Sequence, residues 1–302
     1  MWPLYFLSNK ILKTDEEKDG DRVNMVARCY PFELPSDNQN GHETALPRSH
    51  FVQVPHINQL FYWDCGLACV LMALSTVGIN GYSIQNLAEL CCTTSIWTVD
   101  LAYLLRKFSV RFSYYTVTFG ANPNYSGETY YKEHLPSDLV RVDKLFQKAV
   151  EAGINILCRS ISKEEISRWI LSGKYIAIAL VDLYKLSRSW VGDVLIPGFH
   201  GNDVGYTGHY VVICGYDAEA DEFEIRDPSS SRNKHVKKLK AALHTRNTTP
   251  LYTVFIKLVQ WNLKQDRISS KSLEEARKSF GTDEDLLLIS VDESRKQNYP
   301  II

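Results

Sequence analysis

The sequence predicts an α+β fold, with helices gathered in the first half of the chain and an antiparallel sheet in the second. Three observations predict it. Apolar and small residues recur at helical spacing between residues 64 and 108, and again between 144 and 172. Short runs rich in β-branched and aromatic residues then follow at 175–181, 210–216, 222–226 and 251–258. The regular strand–helix alternation that builds a doubly wound parallel sheet is missing.

Taken in order, residues 13–46 are rich in Asp, Glu, Asn and Gly and show no periodicity, so 1–47 reads as a disordered acidic arm. Phe51-Val52-Gln53-Val54-Pro55 reads as a short strand halted by proline. From Asp64 to Leu74, Cys65, Ala68, Cys69, Met72 and Ala73 lie at helical spacing, and Gly78 and Gly81 close that helix. Two more helices follow over 84–90 and 98–108, with a cap within Ser95 to Asp100. Phe112 to Phe119 reads as a strand, 120–137 as a loop, and 144–152 and 163–172 as helices ended by Gly153 and Gly173.

Tyr175 to Val181 is almost unbroken apolar sequence, the signature of a strand covered on both faces. Tyr210–Tyr216 and Glu222–Arg226, joined by the turn 217–221, read as a hairpin. From residue 263 the charged sequence reads as a helical or disordered tail over 263–302, leaving 48–262 as the folded domain.

Composition narrows the function classes. Hydrophobic residues at 45% and charged residues at 23% suit a soluble globular enzyme. Lys plus Arg number 34 against 35 Asp plus Glu, so no electrostatic drive toward nucleic acid or an anionic membrane is expected. The 7 cysteines are scattered, without a CxxC metal spacing, and no secretory signal or membrane-spanning run is visible. That pattern points to free thiols in a reducing cytoplasm, or the nucleus. Cys69, Cys158 and Cys214 read as small buried apolar residues.

Cys65 is different, because it stands where a helix begins. A thiolate there faces unpaired amides and the positive end of the helix dipole, and the thiolate is the nucleophile. Gln59, six residues upstream, can donate to an oxyanion. His209 enters a strand and can act as general base, and Asp227 across the hairpin can orient its imidazole. Each residue alone has a plainer structural reading; together they describe a catalytic site of Cys65, His209, Asp227 and Gln59.

The strings Val54-Pro55-His56-Ile57-Asn58-Gln59, Asp64-Cys65-Gly66-Leu67-Ala68-Cys69 and Gly208-His209-Tyr210-Val211-Val212, with Arg226-Asp227-Pro228, resemble the bacteriocin-processing peptidases. That resemblance implies a papain-like cysteine peptidase fold. A nearer resemblance covers 50 to about 260. It rests on Gln53–Gln59, Trp63–Cys69, Trp97–Ala102, Ser113–Thr118 and Tyr206–Tyr210, and the chain is similar there to the plant soluble guanylyl cyclases and the animal guanylyl cyclase domain-containing proteins. It implies conversion of GTP to cyclic GMP and pyrophosphate with Mg²⁺ or Mn²⁺.

The residues offer no GxxxxGK[ST] phosphate loop for that chemistry. Asp64, Asp182, Asp203 and Asp227 are candidate metal ligands, with no spacing that favours any pair. Arg106, Lys107, Arg111 and Lys185 are candidate phosphate contacts, and the glycine-rich 192–208 segment is a candidate lid. Three readings stay open: a guanylyl cyclase acting on GTP, a cysteine hydrolase acting on a peptide or other acyl bond, and a non-catalytic interaction module.

Overall fold

The computed structural model describes residues 46–127, 135–186, 206–229 and 267–291. The arm expected over 1–47 lies almost wholly outside these residues. So do the strand expected at 251–258, most of the 192–208 segment and both ends of the expected tail.

The first helix, α1 (Cys65–Thr76), is buried on every side from Cys65 through Leu74 and has no charge in its first or last turn. A helix apolar all round belongs inside a core rather than on a surface. Gly66 lets it approach closely. A Cβ there would lie 3.0 Å from both Leu101 Cδ1 and Tyr210 Cδ2. Around it stand α2 (Ile84–Cys91) and α3 (Thr98–Lys107). Ser83 caps α2 by accepting the Asn86 N–H, and the Asp100 carboxylate accepts the Trp97 N–H at the start of α3.

The fourth helix, α4 (Leu135–Lys148), starts and ends earlier than the sequence predicts. Pro136, read above as part of a loop, sits in the first turn, where its missing N–H has no intrahelical partner to lose. The chain leaves through Gly153 at φ +73°, and α5 (Lys163–Leu171) is held by a Ser162/Glu165 capping box.

Eight strands form one sheet. They are β1 (Ser49–Phe51), β2 (Phe112–Thr116), β3 (Ile156–Cys158), β4 (Tyr175–Asp182), β5 (Gly208–Asp217), β6 (Glu222–Arg226), β7 (Arg267–Ser269) and β8 (Leu286–Ser290). Their order is β3-β2-β8-β4-β5-β6-β7, with β1 pairing β5; among the described pairs only β2–β3 is parallel. This is the α+β class that the sequence predicts, a helical part followed by a mostly antiparallel sheet. Every residue of β4 is buried. Ile176, Ile178 and Leu180 join the core around α1, while α5 and a sixth helix, α6 (Ser270–Arg277), also pack on β4.

Two expectations need correction. The sequence reading ends the domain at 262, yet β8 is an interior strand. It pairs with β2 through Phe112↔Ile289 to Tyr115↔Leu286, and with β4 through Tyr175↔Ser290 to Ala179↔Leu286. The described part of the expected tail is therefore folded, with β7, α6 and β8 belonging to the domain. Cys158 is exposed rather than buried, whereas Cys69 and Cys214 are fully buried as expected; no cysteine among the described residues forms a disulfide. No helix of the described residues is long and apolar enough to cross a membrane.

Candidate active site

Cys65 opens α1, as the sequence predicts, and is 4% exposed. The residue before it fixes the approach. Asp64, fully buried, accepts the N–H groups of Leu60 (3.1 and 3.3 Å) and Phe61 (3.1 Å). Burial pushes its carboxyl up, against the pull of those amides. The carboxylate is thus committed to folding the loop back onto the helix start.

His209 and Asp227 arrive from the sheet. The hairpin β5–β6 pairs Val212 with Arg226, which leaves Asp227 just past the strand end, beside the start of β5. His209 Nε2 lies 2.7 Å from Asp227 Oδ1, and both side chains are buried. Ser229 donates to the same oxygen from its N–H (2.8 Å) and its hydroxyl (2.7 Å). With Nε2 engaged by Asp227, the other ring nitrogen is left for Cys65, whose sulfur lies close enough to raise the pKa of the ring.

Burial alone would lower the His209 pKa. The bonds to Asp227 and Cys65 outweigh it and raise the ring to about 10. Burial likewise pushes Asp227 up, but His209 and Ser229 hold the carboxyl below its ordinary value. The imidazole therefore stands between the Asp227 carboxylate and the Cys65 sulfur.

The loop before Cys65 is stitched to the same corner. His56 Nε2 lies 2.8 Å from the Asp227 carbonyl oxygen, and the Gln59 N–H donates to the Pro228 carbonyl (3.0 Å). The Gln59 side chain does something the sequence does not suggest. Its Nε2 donates to the Phe61 carbonyl (2.8 Å), and its Oε1 is buried without a partner. The turn that Asp64 imposes on Leu60 and Phe61 brings that carbonyl within reach. Cys65, His209 and Asp227 are therefore brought together by their side chains, and Gln59 joins through its backbone.

A cleft of about 200 Å³ opens beside Cys65. Tyr62 and Trp63 line its approach, Trp97, Leu180 and Tyr210 line its apolar walls, and Asp138, Asp283 and Asp285 supply carboxyl groups. Asp138 accepts from Ser95 Oγ and Trp97 Nε1 and pairs with Arg141, which also binds Asp100. Sequence reading missed Asp283 and Asp285 because they fell in the presumed tail. The signal was present: Leu286-Leu287-Leu288-Ile289 has the continuous apolar character used to find β4.

The expected metal ligands are occupied otherwise. Asp64 holds Leu60 and Phe61, Asp227 holds His209, and Asp182 accepts from Ser279 Oγ (2.9 Å) and the Tyr184 N–H (3.0 Å). Asp203 lies outside the described residues. No three His, Cys, Asp or Glu side chains among the described residues form a metal-holding group. Of the expected phosphate contacts, Arg106 instead donates to the Ala152 carbonyl, tying α3 to the chain after α4.

A cysteine opening a buried helix, packed on an antiparallel sheet that carries its histidine and aspartate, defines a papain-like thiol fold. Comparison with known proteins gives the family. Residues 54–250 match the family described as guanylylate cyclase. The chain is 54% identical over 303 aligned positions to "Guanylyl cyclase 1" of Arabidopsis thaliana, covering 99% of each chain. The chain belongs to the guanylyl cyclase family. Among solved structures, a C39-like peptidase from Bacillus anthracis aligns with 80% of this chain and 96% of its own, at 13% identity and a TM-score of 0.40.

Proposed function

We propose that this chain converts GTP to cyclic GMP and pyrophosphate. The observation that carries the reading is its 54% identity, across nearly the whole of both chains, to a protein named a guanylyl cyclase. In that reaction the ribose 3′-oxygen bonds to the α-phosphorus. The bond from that phosphorus to the bridging oxygen breaks, pyrophosphate leaves, and the hydroxyl proton passes to a base or to water.

The cleft of about 200 Å³ beside Cys65 is a concavity that could take part of such a substrate. Among the described residues no three His, Cys, Asp or Glu side chains gather into a ready-made metal site. Mg²⁺ or Mn²⁺ is proposed to enter as the complex with the triphosphate, whose oxygens and waters supply most of its ligands. Purified protein given GTP with either ion is expected to yield cyclic GMP by mass spectrometry. Absence of product across both metals and a range of pH overturns the reading.

A second reading is favoured by one specific observation, the His209 ring held between Asp227 and Cys65. That arrangement suits a cysteine hydrolase. The sulfur would attack an acyl carbon, the His209 proton would go to the leaving group, and water would then hydrolyse the thioester. The Cys65 N–H at the helix start and the second amide hydrogen of Gln59 are the candidate oxyanion donors. Cys65→Ala separates the two readings: it abolishes a thiol hydrolase but leaves cyclisation intact if the thiol takes no part in it.

A further inference from the structure

Behind Cys65, the turn that leads into β8 presents two carboxyl groups to the cleft. Asp283 Oδ1 accepts the Tyr125 hydroxyl (2.5 Å), so that oxygen is already committed. Asp285 is not fully satisfied. It is 5% exposed and lines the cleft, with the Thr98, Thr116 and Tyr114 hydroxyls near its carboxyl, and its Oδ1 is buried with no hydrogen-bond partner. A buried acceptor without a donor is costly, and a ligand that supplies the donor recovers that cost.

At the cleft mouth the chemistry changes. Tyr62 is 91% exposed and Trp63 stands next to it, its indole stacked on Phe61 (centroids 6.1 Å, planes 3° apart). An exposed Tyr62 and a partly buried Trp63 at the rim of a cleft, with an unpartnered carboxyl oxygen on its floor, suit a flat ring carrying N–H groups on one edge. Base-on-aromatic stacking supplies affinity and is tolerant of base identity, whereas an acceptor on the floor discriminates.

We propose that this cleft is the base subsite of the cyclase, with Asp285 reading the N–H edge of guanine and Tyr62 and Trp63 covering the ring at the mouth. The inference rests on the cyclase reading and names the specificity residue that reading lacks. Guanine offers adjacent N1–H and N2–H donors on its pairing edge. Hypoxanthine keeps only the first, and adenine places an acceptor where the ring N–H would be.

The test is equilibrium binding of GMP, IMP and AMP to the full chain, in the native protein and in the Asp285→Asn and Tyr62→Ala variants. Native protein is expected to bind GMP about tenfold or more tightly than IMP or AMP. Asp285→Asn should collapse that ratio to about threefold or less, and Tyr62→Ala should weaken all three by roughly fivefold or more. No binding, equal affinities in native protein, or an unchanged GMP preference in Asp285→Asn overturns the subsite. If Asp285→Asn fails to fold, Tyr62→Ala decides, since its side chain is outside the core; unchanged affinity there overturns the proposal. The two failures are distinguishable. Undiminished cyclic GMP synthesis by both variants sinks the subsite and leaves the activity. Selective GMP binding without cyclic GMP synthesis sinks the activity and leaves a guanine site.

Discussion

Asp227 Oδ1 receives His209, the Ser229 N–H and the Ser229 hydroxyl together, and this convergence keeps the imidazole charged inside a buried site. Replacing the carboxylate by an amide keeps the shape and removes the charge. Asp227→Asn is therefore expected to lower the His209 pKa and slow alkylation of Cys65 by iodoacetamide at pH 7 at least tenfold, on the order set by loss of a cationic neighbour. Peptide mapping reads this directly, and an unchanged rate would separate Cys65 reactivity from the ring. Stability carries the same signature. The folded pKa of His209 is about 10 against an ordinary 6.5, so its contribution is complete below about pH 6.5 and is lost as pH rises toward 10. Asp227, depressed below 3.8, contributes above that value and loses its contribution as pH falls beneath it. Urea unfolding of native protein should show a larger loss of stability between pH 6.5 and 9.5 than His209→Gln does; parallel profiles would refute the linkage. At this scale Cys65, His209 and Asp227 were legible because each sits in a short string with its own local geometry: a helix start, a strand entrance, a strand exit. The Gln59 side chain was not legible, since its direction depends on the turn that Asp64 builds.

Strand β8 carries the lesson at the scale of elements. Its five residues lie between β2 and β4, and Leu286 through Ile289 are buried, yet the charged stretch before them made the whole segment read as a tail. Bulk composition over forty residues concealed a five-residue run that periodicity, applied locally, would have found. Other elements were easier. β4, β5 and β6 were recognisable from continuous or alternating apolar runs and the turn between the last two. α1 was recognisable from small and apolar residues at helical spacing. Strand β3 is three residues long and partly exposed, too short to show a period. The placement of β8 makes a direct prediction. Leu287→Ala is expected to destabilise the chain by about 2–5 kcal/mol, as for a leucine removed from a packed core. Phe119→Ala, at a residue 61% exposed, should cost markedly less. Urea denaturation of the two variants checks this, and similar midpoints would place β8 outside the core.

For the molecule as a whole, a papain-like thiol site and membership of the guanylyl cyclase family coexist in one chain. Fold and site residues do not by themselves fix a reaction, because one scaffold can host different chemistries. The thiol triad was readable from sequence; the carboxyl groups on the cleft floor were not, because they come from a segment distant in sequence that only the completed sheet brings beside Cys65. The cyclase reading gives those groups a task in selecting guanine, and the triad supplies the rival chemistry. The most direct measurement is the product balance of purified full-length chain incubated with GTP and Mg²⁺ or Mn²⁺, following cyclic GMP and pyrophosphate together. The expected result is equal amounts of the two, rising linearly with protein and with time. GTP left intact, or consumed without cyclic GMP, while a thiol-directed acyl substrate is cleaved in a Cys65-dependent manner, would contradict it.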